Sequence, residues 1–145
     1  MKTLRDPKAR RSLQGRLNHL RADAPPKWGT MSADQMLRHL NASLRTALGT
    51  LDCVPEDTLL TRTAIKWAAL FGPWPKGKVK TNREMNASDA YDFEREREEL
   101  GSLIEEVAAR DGAWPSHPTF GPMSGWQWRR LEFRHVDYHL RQFGA

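Results

Sequence analysis

The chain contains one cysteine, Cys53, in 145 residues. A single thiol forms neither an internal disulfide nor a cysteine cluster, so the sequence excludes a disulfide-stapled fold and a cysteine-based zinc site. β-Branched residues are too few and too scattered to give the alternating pattern of strands. Solenoid repeats and low-complexity tracts are also absent. These absences predict a helical protein, and its length predicts a single domain over residues 1–145.

Long apolar runs are missing as well. The densest run, residues 64–71, contains Lys66 and is far shorter than the roughly 18 apolar residues of a membrane span. The basic N-terminal stretch lacks the apolar core of a secretory signal. Its arginines would also suit a transit peptide, but Asp6 followed by Pro7 favours the start of a first helix. We therefore expect a soluble, cytoplasmic protein without a membrane partner.

Charge of one sign is only mildly in excess. Lysine and arginine total 23 and aspartate and glutamate total 18, which gives a net charge of +5. Such a charge permits weak attraction to polyanions, so a polyanion binder remains an alternative function. The aromatic residues do not interleave with the basic ones as they do in a stacking platform for nucleic acid. A nucleic-acid partner is therefore not expected.

Three proline- and glycine-rich stretches divide the chain into four main helical segments and one short one. They are residues 24–30, 72–86 and 112–123. The first helix is expected to be capped by Asp6 and to bury a stripe of leucines, namely Leu13, Leu17 and Leu20. Ser32 with Gln35, and Ser124 with Gln127, each form a capping box that marks the start of the second and the last helix. The sequence thus predicts an all-α fold with a short extra helix between the second and third main helices.

Periodicity also predicts which faces are buried. The polar residues of the second helix, Arg38, Asn41 and Arg45, are expected to face solvent. The third main helix is expected to begin near Ser88 or Asp89, to end at a Gly112 C-cap, and to present a solvated acidic face. The apolar pattern predicts the short helix over residues 57–70. Its inward side chains are expected to be Leu60, Ala64, Trp67, Ala68 and Phe71.

Five histidines and six tryptophans are the unusual part of the composition. At about 100° per residue, His135 and His139 share the inward face of the last helix with Trp128. His39 lies at the edge of the apolar stripe of the second helix, beside Ser43. Two imidazoles one turn apart can converge on one ion, and a third would give a three-histidine site with an open position. Neutral imidazoles suit zinc, nickel, iron or copper.

Two observations bear on that hypothesis. The pair is not the signature of a zinc protease, because Val136 follows His135 and the only carboxylate between the pair, Asp137, points outward, so no general base comes with it. Interior histidines are also found as hydrogen-bonded core residues. A metal-free structural or partner-binding helical bundle is therefore the second hypothesis.

The other two histidines are less informative. His19 is expected at the surface. His117 opens a loop before the last helix, where it would act as a second-shell donor, a fourth ligand or a catalytic acid/base, or would instead fix a turn by bonding to the backbone. Among the tryptophans, Trp67 and Trp128 have core spacing. The remaining four adjoin loops, where they either pack or wall a pocket: Trp28, Trp74, Trp114 and Trp126.

Several of these motifs match a known superfamily. Residues 28–40 (WGTMSADQMLRHL), 117–121 (HPTFG) and 135–143 (HVDYHLRQF) resemble the DinB/YfiT-like metalloenzymes, and in particular a branch known only as a domain of unknown function. Residues 71–77 (FGPWPKG) are similar to that branch as well. The resemblance implies a four-helix bundle in which one histidine of the second helix and two of the last helix hold a metal. These map onto His39, His135 and His139.

Characterised relatives include transferases and isomerases that use a low-molecular-weight thiol such as bacillithiol or mycothiol. The resemblance thus implies a divalent-metal-dependent enzyme, either a thiol-dependent transferase or a hydrolase, that acts on a small molecule. Zinc or nickel is the expected cofactor, followed by iron or manganese. A homodimer is compatible with these features.

Overall fold

All regular structure in the described part of the chain, residues 1–77 and 90–145 of a computed structural model, is helical. The helices are α1 (Pro7–His19), α2 (Ala33–Leu48), α3 (Lys66–Phe71), α4 (Phe93–Ala109) and α5 (Gly125–Gln142). A π-helical turn, Thr61–Ile65, leads directly into α3. The described residues contain no strand beyond an isolated bridge between His117 and Gly121. The prediction of an all-α fold is confirmed.

The predicted helix starts are present. Asp6 accepts a hydrogen bond from the backbone of Lys8, and Pro7 occupies the first helical position. Both capping boxes form, at Ser32 for α2 and at Ser124 for α5. These caps satisfy backbone N–H groups that a helix leaves without partners at its first turn. The facial positions of residues along α2 and α5 are consequently fixed.

The long helices pack so that α2 contacts both α4 and α5, and α1 contacts the same two helices. The short helix α3 lies against α5. Leucines from every long helix fill the centre, and Trp128 of α5 is fully buried among them. No helix of the described residues combines the length and apolar character that a membrane crossing requires. The contact of α2 with α5 is the one that positions the candidate site.

The polar face of α2 departs from expectation. Asn41 is fully buried, and its amide donates to the carbonyl of Glu96 at 2.9 Å and to the carboxylate of Glu96 at 2.7 Å. Arg38 and Arg45 also reach α4, where Arg45 pairs with Glu99. The prediction that these residues face solvent was therefore wrong for Asn41. Part of the predicted acidic face of α4 is an interface with α2, because α4 covers the polar side of α2 as well.

The bounds of α4 also differ. The predicted start at Ser88 or Asp89 lies outside the described residues, and the helix begins at Phe93 after Asp92, whose side chain accepts from the backbone N–H of Arg95. It ends at Ala109, three residues before the predicted Gly112 cap. Arg129 of α5 explains the earlier end, since its guanidinium donates to the carbonyls of Val107 and Arg110.

The short helix buries a different face from the predicted one. Leu60 is 60% exposed, Trp67 51% and Phe71 46%, whereas Leu70 is fully buried. Ala64 and Ala68 are exposed as well. The preceding π-helical turn has more residues per turn than an α-helix, so a 3.6-residue period assigns the wrong face. Trp67, predicted as core, instead stacks on Phe71 at the surface, with ring centroids 5.4 Å apart.

Candidate metal centre

Three imidazoles meet where α2 packs against α5. His39 comes from α2, and His135 and His139 come from successive turns of α5. One nitrogen of each ring lies within 4.8 Å of the others. The Nε2 atoms of His39 and His135 are 2.9 Å apart. The structure thus brings together the three histidines that the sequence singled out.

The cluster lies largely inside the protein. His39 is 1% exposed, His139 is also buried, and His135 is partly buried. Burial lowers the pKa of the His139 imidazole well below its usual range, and the nearby His135 and His39 lower it further. Removing an imidazole from water disfavours its charged form. His139 is therefore neutral at physiological pH, which is the form that binds a metal.

The protonation of His135 follows from its neighbours. Ser43 has one hydroxyl hydrogen, which it donates to the carboxylate of Glu132, with distances of 2.9 and 3.1 Å to the two oxygens. The Ser43 oxygen lies 3.2 Å from Nδ1 of His135 and so accepts from that nitrogen. His135 consequently carries a proton on Nδ1, and its Nε2 faces Nε2 of His39 at 2.9 Å.

The protonation of His139 is fixed in a similar way. Its Nδ1 lies 2.7 Å from Oε1 of Gln142, an oxygen that can only accept, so Nδ1 is the donor. The amide of Gln142 is itself oriented, because its Nε2 donates to the carbonyl of Trp28 at 2.6 Å. His139 therefore directs an unprotonated Nε2 away from this contact.

These features fit a divalent transition metal. Metal-binding histidines characteristically donate their other N–H to an oxygen nearby, as His135 and His139 do here. The Nε2 atoms of His39 and His135 are 2.9 Å apart, so a proton on one of them or a cation lies between the two. Three imidazole nitrogens are a donor set preferred by zinc and nickel. The arrangement is consequently able to bind such an ion.

An aromatic wall stands beside the histidines. Trp74 lies 5.8 Å from the ring of His135, and Tyr138 lies 5.2 Å from that of His139, measured between centroids. The Tyr138 hydroxyl accepts from the indole of Trp28 at 2.9 Å and from the backbone of Gly77 at 3.1 Å. It also donates to the carbonyl of Pro75 at 3.3 Å. Tyr138 thus ties two loops to α5 next to the cluster.

His117 does not belong to the cluster. Its Nδ1 accepts hydrogen bonds from the backbone of Thr119 at 3.0 Å and of Phe120 at 3.2 Å, and its ring stacks on Phe120. Burial, followed by the charges of His135 and Lys66, lowers the pKa of His117 to about 3. A neutral imidazole that accepts from the backbone fixes the turn, as one of the sequence alternatives predicted. His19 lies at the surface, as expected.

Sequence reasoning missed Glu132. It lies about 40° from Trp128 around α5, within the apolar stripe, and is fully buried. A charged residue inside an apolar stripe was the available signal. Its carboxylate lies 3.7 Å from Nδ1 of His135, three residues further along α5, and is also linked to that ring through Ser43 of α2. Spacing within α5 indicates the first contact but does not reveal the link through a second helix.

Comparison with known proteins gives one match. A family model described as "Protein of unknown function (DUF1569)" matches residues 8–145, and so includes all three clustered histidines. Neither the curated proteins nor the solved structures provide a significant match to the chain.

Proposed function

Because the chain belongs to the DUF1569 family of proteins of unknown function, its activity has to be inferred from the site, and we propose a divalent-metal-dependent enzyme whose ion is held by His39, His135 and His139. The observation that carries this proposal is the convergence of three imidazoles on one point. Two of them are locked with the proton on Nδ1, away from the shared centre. A hydrophobic core does not require such locking.

Zinc or nickel is the proposed ion, with iron or manganese next. When bound, the ion would lower the pKa of a thiol or a water molecule beside it and so supply a nucleophile near neutral pH. The chain's own groups orient the ligands through Ser43 and Gln142. The rings of Trp74 and Tyr138 lie beside His135 and His139, respectively. Within the described residues, the ligand cluster consists of histidines alone.

The proposal extends to fold type and substrate. The helices α1, α2, α4 and α5 are the four long ones, and the histidines lie on the second and the last of them, in agreement with the DinB/YfiT resemblance. We propose a four-helix bundle of that type, with α3 as the extra element in a connection. The substrate would be a small molecule in the cytoplasm. With a low-molecular-weight thiol as the nucleophile, the protein would be a transferase. With water as the nucleophile, it would be a hydrolase.

Metal content is the first test. Protein purified without a histidine tag should contain about one zinc or nickel per chain by inductively coupled plasma mass spectrometry. His135→Ala should lose that metal, because one of three ligands is gone. His19→Ala, which removes an exposed histidine of α1, should retain it. Circular dichroism checks that each variant is folded.

The opposite result favours the metal-free alternative. If the untagged protein carries no stoichiometric metal and His135→Ala leaves zinc and nickel binding unchanged, the histidines are core residues of a structural or partner-binding bundle. Polyanion binding is tested separately with a salt series on a nucleic-acid probe. Affinity that is weak and does not fall steeply with salt argues against that role.

A further inference from the structure

Glu132 is a buried carboxylate that pairs with no lysine or arginine of the described residues. It is fully buried in α5, and no lysine or arginine of the described residues lies within salt-bridge distance of it. Its polar neighbours are the Ser43 hydroxyl and, at 3.7 Å, Nδ1 of His135. Burying an uncompensated carboxylate is unfavourable, so such groups are normally paired or linked to a cation.

A second buried glutamate shows how this fold treats a carboxylate elsewhere. Glu96 of α4 is also buried, but Arg38 lies 3.4 Å from it and Asn41 donates to it. The interface of α2 with α4 thus provides a positive charge for its carboxylate. At the interface of α2 with α5, the corresponding position beside Glu132 is occupied by an imidazole of the candidate metal centre.

We propose that Glu132 is the counter-charge of the metal centre and, acting through Ser43, a positioning residue for His135. This inference rests on the proposed metal site. A carboxylate only accepts hydrogen bonds, so it obliges Ser43 to donate to it and to accept from Nδ1 of His135. If Ser43 donated to His135 instead, the imidazole proton would move to Nε2, the atom that faces His39, and would block that ligand position.

The same contacts argue against Ser43 as a nucleophile. In a serine–histidine pair the hydroxyl donates to the imidazole, which takes up its proton. Here the hydroxyl hydrogen is directed to Glu132, and Ser43 is almost fully buried. The order of donors therefore indicates that Ser43 transmits the effect of the carboxylate to the ligand.

Glu132→Gln tests the proposal, with Glu96→Gln as the matched control for loss of a buried carboxylate. Zinc affinity is measured by competition with a chromophoric chelator, and the His135 tautomer by ¹⁵N chemical shifts in metal-free protein. Glu132→Gln should bind zinc about 10–100-fold more weakly, the range seen when hydrogen-bond partners that orient a metal ligand are lost. It should also show less Nδ1–H tautomer of His135. Glu96→Gln should change neither quantity.

Substitutions of Ser43 provide a second route if Glu132→Gln does not fold. Ser43→Ala should reproduce both effects. Ser43→Thr, which keeps a hydroxyl, should retain the zinc affinity and the His135 tautomer of wild type. If zinc binds equally well to wild type, Glu132→Gln and Ser43→Ala, with the His135 tautomer unchanged, the inference is overturned while the metal site stands. If wild type itself binds no zinc, the proposed function fails. If the His135 tautomer is then also unchanged in Glu132→Gln and Ser43→Ala, the positioning role is overturned as well.

Discussion

The Nε2 atoms of His39 and His135 lie 2.9 Å apart across the interface of α2 and α5, with His139 completing a triangle of imidazoles. Each ring comes from a rigid helix whose start is fixed by a capping box. Two of the rings are oriented by partners that accept their Nδ1 protons. The site is thus preorganised by the fold, through groups outside the three imidazoles.

The absence of a side chain at Gly29 is expected to leave room for the Gln142 amide in its observed orientation. Gly29 has a φ of +78°, and a Cβ there would lie 2.9 Å from Nε2 of Gln142, which orients the ligand His139. Gly29→Ala should cost about 1 kcal/mol of stability through backbone strain and should also weaken zinc binding. Gly49→Ala is the control, because Gly49 has a φ of +72° with open space around it. Equal zinc affinity of the two variants would argue against the contact.

The turn at His117 should make stability depend on pH. The pKa of His117 in the folded protein is about 3, below the usual value of 6.5, so folding favours the neutral ring. The contribution of the His117 ring to the free energy of unfolding is therefore complete above about pH 6.5 and is lost as the pH falls towards 3. Linkage gives a loss of about 2 kcal/mol between pH 7 and pH 5.

His117→Asn isolates this effect. The asparagine oxygen can accept from the same backbone N–H groups as Nδ1 does, but it does not titrate. Urea unfolding at pH 7 and pH 5 gives the change in the free energy of unfolding between the two pH values. That change should be about 2 kcal/mol smaller for His117→Asn than for wild type. Identical pH dependence of the two proteins would mean that the His117 imidazole is not held neutral by the fold.

The helix starts and the metal-ligand candidates followed from local rules. Ser32 and Ser124 fix the register of their helices through capping boxes, and a register of 3.6 residues per turn then places His135 and His139 on one face. His39 joined them because it lies at the edge of an apolar stripe. Rules that act within one helix were sufficient for these residues.

Contacts between elements were not predictable in this way. Asn41 is polar and lies opposite the main apolar stripe of α2, yet α4 buries it. Glu132 accepts a hydrogen bond from Ser43 of another helix, which in turn contacts His135. Trp67 was assigned to the core because a 3.6-residue period was applied across a π-helical turn. Each of these outcomes depends on tertiary packing or on local geometry that periodicity does not encode.

The Tyr138 hydroxyl should stabilise the loops beside the site. Tyr138→Phe removes one acceptor for Trp28 and Gly77 and one donor to Pro75. We expect a loss of about 1–2 kcal/mol in the free energy of unfolding, since these bonds are partly exposed. Tyr91→Phe, at the other tyrosine of the chain, controls for loss of a phenol outside the site. Equal stability of Tyr138→Phe and wild type would show that the hydroxyl does not hold the loops.

Trp67 and Trp128 should differ sharply in their contribution to stability. Trp128 is fully buried and donates to the carbonyl of Pro115, so Trp128→Ala should cost about 3–5 kcal/mol. Trp67 is half exposed, and Trp67→Ala should cost about 1 kcal/mol or less. Urea unfolding of both variants checks the ranking. A cost for Trp67→Ala close to that for Trp128→Ala would mean that the π-helical segment packs differently.

Anomalous scattering at the zinc edge, measured on crystals of zinc-loaded, untagged protein, locates the ion itself. We predict one strong peak per chain within about 2.0–2.1 Å of Nε2 of His135 and His139, with His39 as the third ligand. His117 should be remote from that peak. A peak elsewhere, or none at the three histidines in crystals grown with excess zinc, would contradict the account.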